Sequence, residues 1–138
     1  MSLNQRIEME PKRSRVLAGL PGEGRPPRQF SVTGTGTFRE GFVVEFNPPD
    51  DDSWVGNFQP GISSLYRVLE EPAEEAILVV AGGQGYVVNE RTGALIFEYG
   101  GDIDFVERPA GIGMTILGDL VGFSAYRDGG LVWTSRRI

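Results

Sequence analysis

Three observations predict an all-β fold for this 138-residue chain. A strand-opening phrase recurs as Gly41-Phe42-Val43-Val44, Gly85-Tyr86-Val87-Val88 and Gly122-Phe123-Ser124-Ala125, with spacings of 44 and 37 residues between the glycines. A period of that size marks repeated β units. The twenty glycines lie largely where tight turns are needed. After residue 30 no long segment shows helical periodicity, whereas short alternating and apolar runs recur. The expected architecture is an antiparallel meander of about three repeated hairpin units, with roughly ten to twelve short strands packed as a sandwich or open barrel. A flexible N-terminal arm precedes it.

Residues 1–29 form the expected arm. Pro11, Pro21, Pro26 and Pro27 interrupt any helix beyond a short one over Asn4–Glu10, and Gly19, Gly22 and Gly24 add flexibility. Residues 30–138 form the expected all-β domain. Phe42, Val44 and Phe46 share one face of a strand, and Pro48-Pro49-Asp50-Asp51-Asp52-Ser53 is a loop. Trp54, Gly56 and Phe58 share a face of the next strand. Ala76-Ile77-Leu78-Val79-Val80-Ala81 is apolar throughout and reads as a central strand covered on both faces. Gly82-Gly83-Gln84-Gly85 turns the chain with positive φ, and Arg91-Thr92-Gly93 turns it again before Ala94-Leu95-Ile96-Phe97. Ile103 and Phe105 are expected to point one way, and Asp102 and Asp104 the other. Leu120–Tyr126 and Leu131–Arg137 make a last hairpin around Asp128-Gly129-Gly130.

Composition narrows the chemistry. Cysteine and histidine are both absent. That excludes disulfides, thiolate metal sites, Cys nucleophiles and every catalytic scheme that needs imidazole. The net charge is −6, unevenly spread. Residues 1–29 hold six basic and three acidic side chains, and residues 30–138 hold seven basic and sixteen acidic ones. An acidic body repels nucleic-acid backbones, so no nucleic-acid partner is expected. No apolar run is long enough to span a bilayer, and Met1–Gln5 opens no secretion signal, so the cytoplasm is the default expectation.

The segment from Gly85 to Phe97, in which a glycine opens a strand, a polar turn ends in Thr92-Gly93 and an aromatic closes the next strand, resembles the blade motif of quinoprotein-type β-propellers. Gly122 to Trp133 follows the same plan. The resemblance covers residues of about 76–137, and more faintly 41–59. It implies strand order rather than activity, and three units are fewer than the four or so that close a ring. Trp54-Val55-Gly56-Asn57-Phe58-Gln59, Ala81 to Val87 and Trp133 to Ile138 also look like a group of small uncharacterised bacterial all-β proteins, which implies fold only.

Trp54, Asn57, Gln59, Gln84, Tyr86 and Arg136 combine aromatic surface with amide and guanidinium donors, and are the candidate binding residues if the fold gathers them. The competing reading makes Trp54 and Tyr86 core, with the amides capping turns. Asp50-Asp51-Asp52 carries the carboxylates of a calcium loop without its closing Glu, and a solvated turn is the simpler expectation. Asp102 and Asp104, two residues apart, are a possible carboxylate pair for acid–base work. Gly82-Gly83-Gln84-Gly85 and Thr33-Gly34-Thr35-Gly36-Thr37 lack the helix and Lys of a phosphate loop.

The expected function is a non-catalytic binding or protein-interaction module with no catalytic residues, cofactor or metal. Its expected partner is another protein, or a second copy paired through strand edges. Two alternatives stay open. One is a carboxylate-dependent or metal-assisted hydrolase using Asp102 and Asp104. The other is a structural piece of a longer β-repeat protein, since Arg136-Arg137-Ile138 falls mid-strand by its pattern.

Overall fold

The computed structural model describes residues 13–32, 40–70, 75–109, 113–127 and 130–136. Among them are twelve strands and no helix, so the fold is all-β. The strands make three open four-stranded sheets. The first contains β1 (Ser14–Val16), β2 (Arg28–Phe30), β3 (Phe42–Phe46) and β4 (Trp54–Phe58), in the spatial order β1-β3-β4-β2. The second runs in chain order through β5 (Arg67–Glu70), β6 (Ala76–Ala81), β7 (Gln84–Asn89) and β8 (Leu95–Tyr99). The third does the same through β9 (Phe105–Glu107), β10 (Thr115–Gly118), β11 (Gly122–Arg127) and β12 (Gly130–Arg136). Neighbours are antiparallel except β2 and β4, which run parallel.

Strand β6 explains how the sheets stack. Successive side chains of a strand point to opposite faces, so a strand buried on both sides must be apolar at every position. Ile77, Val79 and Ala81 pack with Phe30, Val44, Phe46, Trp54 and Phe58 of the first sheet. Leu78 and Val80 pack with Ile103, Val106 and Leu117 on the other side. The second sheet is therefore the middle layer of a three-layer sandwich. Aromatic rings fill the first interface. Phe30 stacks on Phe58 with centroids 4.5 Å apart, and Phe46 on Trp54 at 4.3 Å.

The turn between β6 and β7 ties the layers together. Gly82 and Gly83 have φ of 51° and 87°, the two positive values of a type I′ hairpin turn, so the turn takes only the first two residues of the expected Gly82-Gly83-Gln84-Gly85 and β7 begins at Gln84. The same turn receives the connections to both neighbouring sheets. Gly61 N donates to Ala81 O at 3.0 Å, and Ser63 N to Gly82 O at 2.9 Å. Gly83 N donates to Leu65 O at 3.1 Å, and Ile103 N to Gly83 O at 3.0 Å. The Ser63 hydroxyl donates to Ile103 O at 2.6 Å and closes the cluster.

The structure departs from expectation in three places. The N-terminal segment expected as a flexible arm supplies β1 and β2, so residues 14–16 and 28–30 belong to the first sheet. Their ordering comes from partners distant in sequence, including the doubly bonded ion pair of Arg13 with Glu90. Ile103 and Phe105 face opposite ways. Ile103 is buried with Val106, whereas Phe105 is exposed, because strand alternation begins only at Phe105. The aromatics of the repeated phrases also lie on different faces. Tyr86 points into the first interface, while Phe123 alternates with Ser124, the partner of core residue Leu117, and so points outward. The helix expected over Asn4–Glu10, the Thr33–Thr37 segment and Asp128-Gly129 lie outside the described residues.

Substitution of Gly83 tests the turn. A Cβ there would meet the Ser63 hydroxyl and lie 2.9 Å from Ile103 O, at a φ that side chains resist. Gly83→Ala is expected to cost about 1–3 kcal/mol in chemical denaturation. Gly22→Ala, where nothing lies within 4 Å, is expected to change stability by less than about 0.5 kcal/mol. Equal midpoints for the two variants would contradict the role given to the turn.

Candidate functional site

Trp54 opens β4 and is buried at the first interface. Its indole nitrogen donates to Glu90 O at 2.7 Å, and the Arg28 guanidinium lies 5.3 Å from its ring centroid. Glu90, itself buried, takes two hydrogen bonds from Arg13, one of them at 2.9 Å. Burial of a carboxylate is tolerated when its charge is paired and its oxygens are bonded. Asn57 is also buried. Its carbonyl oxygen accepts from Gly41 N at 2.7 Å, and its amide donates to the Gln29 side chain at 3.0 Å.

Tyr86 lies in the same interface and is fully buried. Its hydroxyl donates to Gln59 O at 2.7 Å, joining two of the candidate residues directly. Burial pushes its phenol from 10.0 up to about 12, and the nearby Glu98 carboxylate acts in the same direction. Burial likewise raises Tyr99, with Tyr126 adding to the shift and Arg108 opposing it. Gln84 is buried beside Gly85, whose carbonyl lies 3.5 Å from its amide nitrogen. Trp54 and Tyr86 thus meet in the first interface, with the Gln59 backbone bonded to Tyr86, whereas Asn57 alternates with Phe58 and lies buried on the opposite face of β4. Arg136 lies apart from them, exposed on β12 of the third sheet.

The carboxylate candidates are on loops. Asp50, at φ 62°, and its neighbours Asp51 and Asp52 are exposed, and Asp52 pairs with Arg25 at 2.8 Å. Asp104 is exposed and Asp102 half-buried, with the core residue Ile103 between them. Among the described residues no group of three or more acidic side chains converges as a metal site would require.

Two open clefts border the first sheet. A cleft of about 420 Å³ lies between residues 17–25 and the start of β4, with Glu23, Glu45 and Asp52 on its walls. A groove of about 910 Å³ separates the edges of β1 and β5, floored by Phe42 and Tyr66, whose rings meet edge to face at 5.2 Å.

Of the most distinctive surface, only Arg136 was among the sequence candidates. Strand β12 is exposed along all seven residues, with Leu131 57%, Val132 50% and Trp133 41% accessible. On the outward face of the third sheet it adjoins Phe123, which meets the exposed Phe105 at 5.8 Å. Leu95, Ile96 and Phe97 of β8 are exposed as well. The available sequence signal is the uncharged run Gly130 to Ser135 within the last hairpin.

Two substitutions probe the first interface. Arg13→Ala leaves the Glu90 carboxylate buried without its cation and is expected to cost about 3 kcal/mol. Tyr86→Phe is expected to cost about 1 kcal/mol at neutral pH through loss of the bond to Gln59. The folded phenol titrates above its unfolded value, so its contribution is complete below pH 10 and is lost as pH rises toward about 12. The variant should therefore lose stability less steeply than the parent across that window in denaturant titrations, and identical slopes would contradict the assignment. No family model, no curated protein and no solved structure matches the chain.

Proposed function

We propose that the chain is a non-catalytic protein-interaction module whose binding surface is the open side of its third sheet. The observation that carries this reading is strand β12. Sheet edges present unpaired backbone donors and acceptors, and soluble proteins shorten or charge them. Five of the six edges here follow that rule. Strands β1, β2 and β9 are three residues long and carry Arg15, Arg28 and Glu107. Strand β5 carries Arg67 and Glu70, and β8 carries Glu98. Strand β12 is seven residues long and uncharged until Arg136, with a register shift beside Tyr126 as its sole irregularity.

Composition supports the same reading, because absent His and Cys remove most catalytic schemes while leaving edge pairing intact. The second and third sheets are four-stranded meanders stacked face to face, which supports the propeller-blade likeness. In that likeness the outward face of the third sheet stands where another layer would pack. Among the described residues no helix is long and apolar enough to cross a membrane. A cytoplasmic setting completes the proposal.

A photo-crosslinking side chain at Val132 is expected to yield covalent protein adducts in cell extract, while the same group at the exposed Arg91 yields none. Adducts at neither position, or equal yields at both, would count against the reading.

A further inference from the structure

We infer that the occupant of the β12 edge is β12 of a second copy, arranged antiparallel about a two-fold axis; this rests on the proposed interaction surface. An antiparallel strand pair has its two-fold axis perpendicular to the sheet, so one strand is always geometrically able to pair with its own copy. Joining β12 to β12 extends the four-stranded third sheet to eight strands across the dimer.

The position of β8 favours a copy over an unrelated protein. The ring of Tyr126, which pairs with Leu131 of β12, lies 6.4 Å from Phe97 of β8. The exposed edges of the second and third sheets are therefore on the same side of the stack. An axis perpendicular to the third sheet keeps both second sheets on one side of the extended sheet. It brings β8 of one copy toward β8 of the other in the same operation. About an axis near Trp133, Trp133 meets its own equivalent while Leu131 and Val132 fall opposite Ser135 and Thr134, and the exposed Leu95, Ile96 and Phe97 of the two copies face each other across the same axis. A single symmetry operation covers both exposed apolar strips, and no partner with a matching pair of strips is needed.

Charge permits this arrangement. Within the strands brought together, β11 and β12 hold only Arg127 and Arg136 as charged residues, and β8 holds only Glu98. With the axis near Trp133, the two Arg136 side chains belong to strand positions about 20 Å apart at the usual rise per residue. That exceeds the Debye length of about 8 Å at physiological ionic strength, so their repulsion is screened.

The absence of cysteine makes the test direct, because every single-cysteine variant carries one thiol. Sedimentation equilibrium of the full chain is expected to show the weight-average mass rising with concentration to twice 15.1 kDa. Single replacements Val132→Cys, Trp133→Cys, Thr134→Cys and Ser135→Cys should give oxidised dimers most efficiently at one or two adjacent positions, because a disulfide requires close Cα approach. Val16→Cys, on the exposed edge β1, should stay monomeric. Trp133→Lys should return the chain to a monomer while keeping its far-ultraviolet circular dichroism, and the cysteine series remains decisive if that variant misfolds. A mass fixed at 15.1 kDa up to millimolar chain, or crosslinking as efficient at Val16 as along β12, overturns the inference. If the chain is monomeric but Val132 still captures another protein, the second-copy inference falls and the interaction reading stands. A monomer without adducts removes both.

Discussion

The need to bury both faces of one strand organises this molecule. Strand β6 places Ile77, Val79 and Ala81 against the first sheet and Leu78 and Val80 against the third. A strand that is apolar on both sides has little in its hydrophobic pattern to distinguish one register from the next. Here the register comes from the turn that follows. Gly82 and Gly83 hold a two-residue hairpin, pairing Ala81 with Gln84 and aligning every later pair down to Ala76 with Asn89. That turn also bonds to Gly61, Ser63, Leu65 and Ile103, so the connections between sheets are held by the same backbone that sets the register of the middle one.

A middle layer covered twice leaves each outer sheet with one further face, and the two ends of the stack differ. On the first sheet that face carries Asn57 bonded to Gln29, and Glu45 paired with Arg15. Residues 17–25 pass beside it and join it through Arg25 and Asp52. On the third sheet it carries Phe105, Phe123 and Trp133, and β12 beside it is accessible from both sides. Val43 and Asn57 on the first sheet's further face are buried, whereas the third sheet's end leaves apolar side chains exposed, which is why the functional reading rests on the third sheet.

The parts of the fold legible in sequence were those governed by neighbouring residues. The run from Ala76 to Ala81 announces a doubly buried strand, the Gly82-Gly83-Gln84-Gly85 stretch announces its turn, and Asn89 to Gly93 announces the next. The Asn89 side chain takes the amides of Arg91 and Thr92 at 2.9 Å each. The illegible parts depend on distant partners. Residues 14–16 contain one apolar side chain and become a strand only by pairing with β3, helped by an ion pair between residues 77 apart in sequence. The candidate site shows the same division. Trp54 and Tyr86 stood out as aromatics beside amides, but their neighbourhood is set by which sheet faces which. Trp133 occupies the place of Phe97 in a repeated phrase, yet repetition along the chain does not encode the face on which a side chain emerges.

Residue-resolved amide hydrogen exchange tests the layered arrangement most directly. If β6 is the doubly covered centre of one cooperative unit, amides from Ile77 to Val80 should exchange slowest and only through global unfolding, while those of β12 not bonded to β11 exchange far faster in dilute solution. Protection along β6 no greater than along β12, or a separate unfolding step that releases the third sheet while β6 stays protected, would contradict the account.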